Sequence, residues 1–203
     1  MRHTRPRWER TPLTGVRRGD REVVIAVLAY RGVTTAEIEL PVQRLTERLR
    51  ADVVFVGIES GPVPGVEPAR DVVVDATPAD AGVPDIVIVP GGLGWRQLAD
   101  DATLAAWLAG AVDSAQVSLA ISTGSLLLAA AGRLAGLEAT GHWLADVELA
   151  GLGAVVSSAR TVSADHGRIL TASGAHAAVA LVDQIADRIV WGPRAVGRET
   201  DDS

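Results

Sequence analysis

Short apolar runs rich in β-branched residues recur along this chain, separated by stretches with helical spacing. The first run, Glu22-Val-Val-Ile-Ala-Val-Leu28, is almost continuously apolar, as a parallel strand buried on both faces must be. Val53 to Ile58, Asp85 to Val89 and Val117 to Ile121 repeat the pattern, and Val72 to Val74 is a shorter run suited to an edge. Between the first two runs, Thr34 or Thr35 is placed to cap a helix that reaches Arg50, with Leu40, Leu45 and Leu49 on its apolar side. Gly61-Pro-Val-Pro-Gly65 reads as a turn. Asp100 or Asp101 caps a helix that runs through Trp107 to Val112. Ser122-Thr-Gly124 turns directly into a helix from Ser125 to Ala131, which Gly132 and Gly136 end. Two β-rich pieces, Ala154 to Ala164 and Arg168 to Ala172, flank Asp165-His-Gly167 as a hairpin flanks its turn. A last helix spans Ala175 to Val190 and stops at Gly192-Pro193.

Strand and helix alternate over most of the chain, which predicts an α/β fold with a mainly parallel sheet covered on both faces. Ligands of such sheets bind beyond the carboxyl ends of the strands, where the strand order switches. The 203 residues suit one domain, residues 21–192, between a basic arm (1–20) and a polar tail (193–203). The arm holds six arginines against Glu9 and Asp20.

Composition removes several chemistries. There is no lysine, so no Schiff base can form, and no cysteine, so disulfides and thiol nucleophiles are excluded. The net charge of −6 gives nucleic acid no general attraction. No apolar run has the length of a signal peptide core or a membrane span, so the expectation is a cytoplasmic protein that does not engage a membrane.

Three loops at the expected crevice carry chemistry. Ala120-Ile-Ser-Thr-Gly124 sits at a strand-to-helix turn with small residues two positions before and after Ser122, as a nucleophile elbow requires. Ser122 is a nucleophile or a helix N-cap; the residues alone leave both open. Val89-Pro-Gly-Gly-Leu-Gly94 follows a buried strand, and Gly91 and Gly92 permit close backbone approach to a ligand, with the Gly92 N–H as an oxyanion donor. Glu37 lies in the first turn of the helix after the first strand, where it either serves the crevice or merely complements the helix dipole. His142, in Ala139-Thr-Gly-His-Trp143, and His176, after Thr171-Ala-Ser-Gly174, are the candidate bases; His166 and His3 read as solvated.

Taken together, Val87-Ile-Val-Pro-Gly-Gly92, the elbow with its helix to Gly132, Ala139-Thr-Gly-His-Trp143 and Leu170-Thr-Ala-Ser-Gly174 resemble the ThiJ/PfpI family of the class I glutamine-amidotransferase-like superfamily. The likeness is greatest to its isonitrile-hydratase and AraC-regulator-associated branch, and it runs from Val23 to Ile189. It implies a flavodoxin-like sandwich, often a homodimer, acting on a small molecule with neither metal nor organic cofactor. It also implies that Glu37 hydrogen-bonds the nucleophile, that Gly92 and Thr123 N–H groups face an oxyanion, and that His142 stands near the nucleophile. Regulator relatives carry a helix-turn-helix domain after the sheet domain, and the short stretch after Val190 predicts none here.

The chain departs from that pattern in one decisive place: Ser122 stands where the family usually has cysteine. A thiolate forms near neutral pH, but a serine hydroxyl needs a base within hydrogen-bond reach. Two functions follow. One is a hydratase or hydrolase using Ser122 with Glu37 or His142; the other is a ligand-binding or regulatory module that has lost the thiol. Glu39 and Leu40 also replace an apolar residue and a glycine before Pro41, which predicts a reshaped pocket wall.

Overall fold

A computed structural model of the chain describes residues 22–67 and 70–192. The basic arm and the polar tail expected at the two ends lie outside the described residues.

The elements run in the order β1 (Val23–Leu28), α1 (Ala36–Arg48), β2 (Ala51–Val56), β3 (Gly61–Pro64), β4 (Asp71–Val74), β5 (Ile86–Val89), α2 (Trp95–Ala99), α3 (Ala102–Ser114), β6 (Val117–Ile121), α4 (Gly124–Ala130), β7 (Glu138–Ala139), α5 (Asp146–Gly151), β8 (Val155–Val156), β9 (Thr161–Ala164), β10 (Ile169–Ala172), α6 (Ala175–Val179) and α7 (Val182–Trp191). Six strands form the central sheet in the order β2-β1-β5-β6-β10-β9. All neighbours are parallel except β10 and β9, which form the hairpin expected around Asp165-His-Gly167. The expected α/β class with a mainly parallel sheet is therefore the observed one. β5 and β6 are buried along their whole length, which is why they read as unbroken apolar runs.

The strand order fixes where the chemistry collects. β1 leads to β2 on one side and neighbours β5 on the other, so the loops after β1 and β5 part company and leave a crevice. Glu37 follows β1, Pro90-Gly-Gly92 follows β5, and Ser122 follows β6.

Several elements differ from the sequence reading. In α1 the buried face is Glu37, Ile38, Pro41, Val42, Leu45 and Thr46, whereas Leu40 is 36% exposed. The helical spacing runs from Ile38 through Val42 to Leu45, and Leu40 falls off it. Thr35 occupies the N-cap position of α1, but its N–H and hydroxyl both donate to Glu67 Oε2, at 3.1 and 3.0 Å, rather than closing the helix itself. Asp101 does cap α3, accepting from the Leu104 N–H at 2.8 Å. Gly61 to Pro64 is a strand, not just a turn, paired antiparallel with β4. Pro62 and Pro64 alternate with Val63, so the missing N–H groups fall on one edge of a two-stranded ribbon. The stretch from Ala154 to Ala164 splits into β8, which pairs with β7, and β9, which joins the main sheet. The expected final helix breaks into α6 and α7 around Ala180 and Leu181.

Candidate active site

Ser122 follows the last residue of β6 with a backbone φ of 58°. A non-glycine residue in that left-handed region is strained, and the strain lifts its side chain out of the strand direction. The Ser122 N–H is tied to the Ala172 carbonyl at 2.8 Å, which pins the turn to β10. Thr123, not Ser122, occupies the N-cap position of α4, and it makes no side-chain capping bond. The turn has no room for a bulkier residue at Gly124, where a Cβ would stand 2.0 Å from the Val89 carbonyl oxygen.

Strain also supplies a measurable prediction. Ser122→Gly relieves the left-handed backbone and Ser122→Ala does not, while both remove the hydroxyl. The glycine variant is therefore expected to be more stable than the alanine variant by about 1 kcal/mol in chemical denaturation. Equal stabilities would mean that the elbow is unstrained.

Glu37 is 7% exposed, inside the apolar face of α1. Its Oε2 accepts the Gly91 N–H at 2.7 Å, and the Ser122 side chain stands beside its carboxyl group. Burial pushes its pKa up from 4.5 to about 7 and the charge of Glu67 adds to the rise, while the Gly91 N–H and the neighbouring Ser122 side chain work against it. Near neutral pH this carboxyl can therefore both take and give a proton.

The Pro-Gly-Gly loop turns its donors inward. With the Gly91 N–H on Glu37, the Gly92 N–H donates to Thr123 Oγ1 at 3.0 Å. Thr123 Oγ1 in turn lies 3.3 Å from the Gly92 carbonyl oxygen, to which it donates. Gly91, Gly92, Thr123, Glu37 and Ser122 thus form one connected cluster. Neither N–H of the loop is left over for a ligand unless Glu37 or Thr123 gives it up.

The histidines are placed differently. His142 caps the short turn Trp143–Ala145, and its Nδ1 accepts the Leu144 N–H at 3.3 Å. Its ring stacks on Trp143 with centroids 5.9 Å apart. The preceding residue touches the elbow: a Cβ on Gly141 would lie 2.9 Å from the Ser122 carbonyl oxygen. Ser125 Oγ donates to the Thr140 carbonyl at 2.7 Å, and Thr140 N–H donates to Thr171 Oγ1 at 2.9 Å, which fastens this segment beside the elbow. His142 therefore stands near the site without a hydrogen bond to the Ser122 hydroxyl. His176 is exposed on α6 and has none either. Glu39 pairs with Arg70 at 2.6 Å on the outer side of α1, away from the Ser122 cluster.

Two participants were not foreseen. Tyr30 is buried and donates its hydroxyl to the Pro90 carbonyl at 3.0 Å, fixing the loop that holds Glu37. Burial and the charge of Glu37 both push its phenol upward, so it stays protonated. Its position two residues beyond a buried strand was a usable signal. Glu67 was not legible, because it reaches Thr35 from a distant loop. Among the described residues, no group of three or more His, Cys, Asp or Glu side chains could hold a metal ion, and no helix is long and apolar enough to cross a membrane.

The sequence profile of the DJ-1/PfpI family matches residues 23–188. The chain belongs to the DJ-1/PfpI family. Its resemblance to isonitrile hydratase of Pseudomonas putida is 33% identity over 111 residues, covering 55% of this chain and 48% of that relative. The chain thus matches about half the length of that relative. Among solved structures, a ThiJ/PfpI family protein from Pseudomonas syringae is 27% identical, with a TM-score of 0.74 over 88% of this chain and 75% of that one. Drosophila melanogaster DJ-1beta is 20% identical with a TM-score of 0.73, covering 85% of this chain and 92% of its own, and shares the fold. The flavodoxin-like sandwich expected from the sequence is the family fold. In this DJ-1/PfpI chain the elbow presents a hydroxyl, and the acid beside it is the buried Glu37.

Proposed function

We propose that this protein is a small-molecule hydratase or hydrolase in which Ser122 is the reacting group and Glu37 carries the proton, with isonitriles as the first substrate class to examine. The observation that carries the reading is the strained Ser122 standing beside a buried carboxyl whose pKa burial raises to about 7. The relative named isonitrile hydratase supports the reaction class.

The chemistry balances with these two side chains and water. Ionised Glu37 takes the Ser122 proton as Oγ bonds to the terminal carbon of R–N≡C. Glu37 then delivers that proton to the same carbon, leaving the seryl formimidate R–N=CH–O–Ser. Water adds to the imidate carbon, one of its protons passing through Glu37 to nitrogen. The carbon–oxygen bond to Ser122 breaks, the second proton returns to Oγ, and the formamide R–NH–CHO leaves. A positioned base of this kind contributes ~100- to 10,000-fold. Because the base must be ionised, turnover is expected to rise with pH through a midpoint of about 7.

A second reading has its own observation. The Gly91 and Gly92 N–H groups are already engaged by Glu37 and Thr123, as in a site that binds a ligand without holding an oxyanion. The test is to offer isonitriles, glyoxals and activated esters to the purified protein and to Ser122→Ala. The catalytic reading expects turnover that falls at least about 100-fold in the variant, and a fluorophosphonate adduct on Ser122 by mass spectrometry. A ligand that raises the melting temperature equally in both proteins, with no turnover in either, would leave only the binding module.

A further inference from the structure

A cleft of about 370 Å³ opens beyond the carboxyl ends of β1 and β2, beside the Ser122 crevice but not lined by Ser122 or Glu37. Its walls carry two opposite charges, Arg31 and Glu59. Each stands three residues past the register pair Leu28↔Val56, so parallel strands deliver them to the same edge at the same height. Arg31 and Glu59 form no ion pair with one another or with any other described residue. Most other described arginines, such as Arg48, Arg70 and Arg96, do meet a carboxylate, these three at 2.6 Å. Ser60 and Gln97 also line the cleft, their side chains making no hydrogen bond to another described residue, over an apolar floor that includes Leu98.

The wall bearing Arg31 is built rather than incidental. Its main chain packs so closely on Gly94 that a Cβ there would lie 2.0 Å from the Arg31 carbonyl oxygen. The next N–H, of Gly32, donates to the Pro64 carbonyl at 2.7 Å. Arg31 thus stands on a fixed backbone, and Glu59 lines the same cleft.

We propose that this cleft binds a small zwitterion of the free amino acid class, its carboxylate on Arg31 and its ammonium on Glu59. A guanidinium fork matches a carboxylate in two parallel hydrogen bonds, and an acceptor-only carboxylate matches an ammonium. The volume accommodates an amino acid with a medium or large side chain, which Ser60, Gln97 and the apolar floor would contact. The proposal stands independently of the chemistry at Ser122.

Calorimetric titration of the full chain with the common L-amino acids, each beside its decarboxylated amine and its deaminated acid, tests it. A subset of amino acids is expected to bind with Kd of about 1 mM or below, and each analogue lacking one charge at least about tenfold more weakly. Arg31→Gln and Glu59→Gln, both at exposed positions, should each weaken binding by about tenfold without lowering the melting temperature. Ser122→Ala should bind as the wild type does, whether or not Ser122 proves catalytic. The proposal is overturned if no amino acid binds up to about 10 mM, if the deaminated acid binds as well as the parent, or if Ser122→Ala abolishes binding.

Discussion

Gly124→Ala is expected to cost at least about 3 kcal/mol of stability and about 10 °C of melting temperature. The added Cβ would stand 2.0 Å from the Val89 oxygen, 2.9 Å from the Val89 carbonyl carbon and 3.0 Å from the Pro90 carbonyl carbon. All three are main-chain atoms at the end of β5 and the start of the loop leaving it, so no side chain can swing aside. Relief requires β5 and β6 to part at their carboxyl ends, where Val89 pairs with Ala120 in fully buried strands. Gly110 supplies the control. It lies inside α3 with nothing within 4 Å of a Cβ, so Gly110→Ala should stabilise by ~0.5–1 kcal/mol through helix propensity. A Gly124→Ala protein as stable as the wild type would mean that the elbow is not packed against the Pro-Gly-Gly loop as described.

The second large effect is the pH dependence of stability that Glu37 imposes. Its carboxyl titrates at about 7 in the folded chain, against an ordinary value of 4.5. Between those values the unfolded chain has released this proton and the folded chain retains it. The unfolded state therefore binds fewer protons, and the contribution of Glu37 to stability falls as pH rises through this window. Below it the carboxyl is neutral in both states; above it the loss is complete. The gap corresponds to about 3 kcal/mol. Glu37→Gln keeps an oxygen for the Gly91 N–H and cannot ionise. The stability of this variant relative to wild type should thus be unchanged near pH 4 and greater by about 3 kcal/mol at pH 8. Taking the difference between the two proteins cancels the other titrating groups. A difference that stays flat across the range would mean that Glu37 titrates as an ordinary surface carboxylate.

The two expectations show which parts of the molecule a sequence can reveal. β-Branched runs reveal buried strands because a parallel strand must be apolar on both faces, and the elbow is readable because only small neighbours permit it. The burial of Glu37 was half legible. It lies four residues before Pro41 and eight before Leu45, on the buried face of α1, yet a carboxylate in a helix's first turn reads equally as a surface group. The misplacement of Leu40 came from joining it to Leu45 and Leu49, whereas Ile38, Val42 and Leu45 keep the helical period. The break between α6 and α7 carries no glycine or proline, so packing rather than local propensity sets it. The engagement of Gly91 by Glu37 spans 54 residues, and the juxtaposition of Arg31 with Glu59 depends on the pairing of β1 with β2. Such meetings follow from strand order, which no local pattern encodes.

The central claim is that a serine hydroxyl at a strained turn is served by an acid poised to exchange protons near neutral pH. Infrared difference spectroscopy of the carboxyl stretch, comparing wild type with Glu37→Gln across the pH range, reads that acid directly. A protonated-carboxyl band lost with a midpoint of about 7, absent from the variant and shifted in Ser122→Ala, is the expected result. A band lost with a midpoint near the ordinary 4.5, or one insensitive to Ser122→Ala, would contradict it.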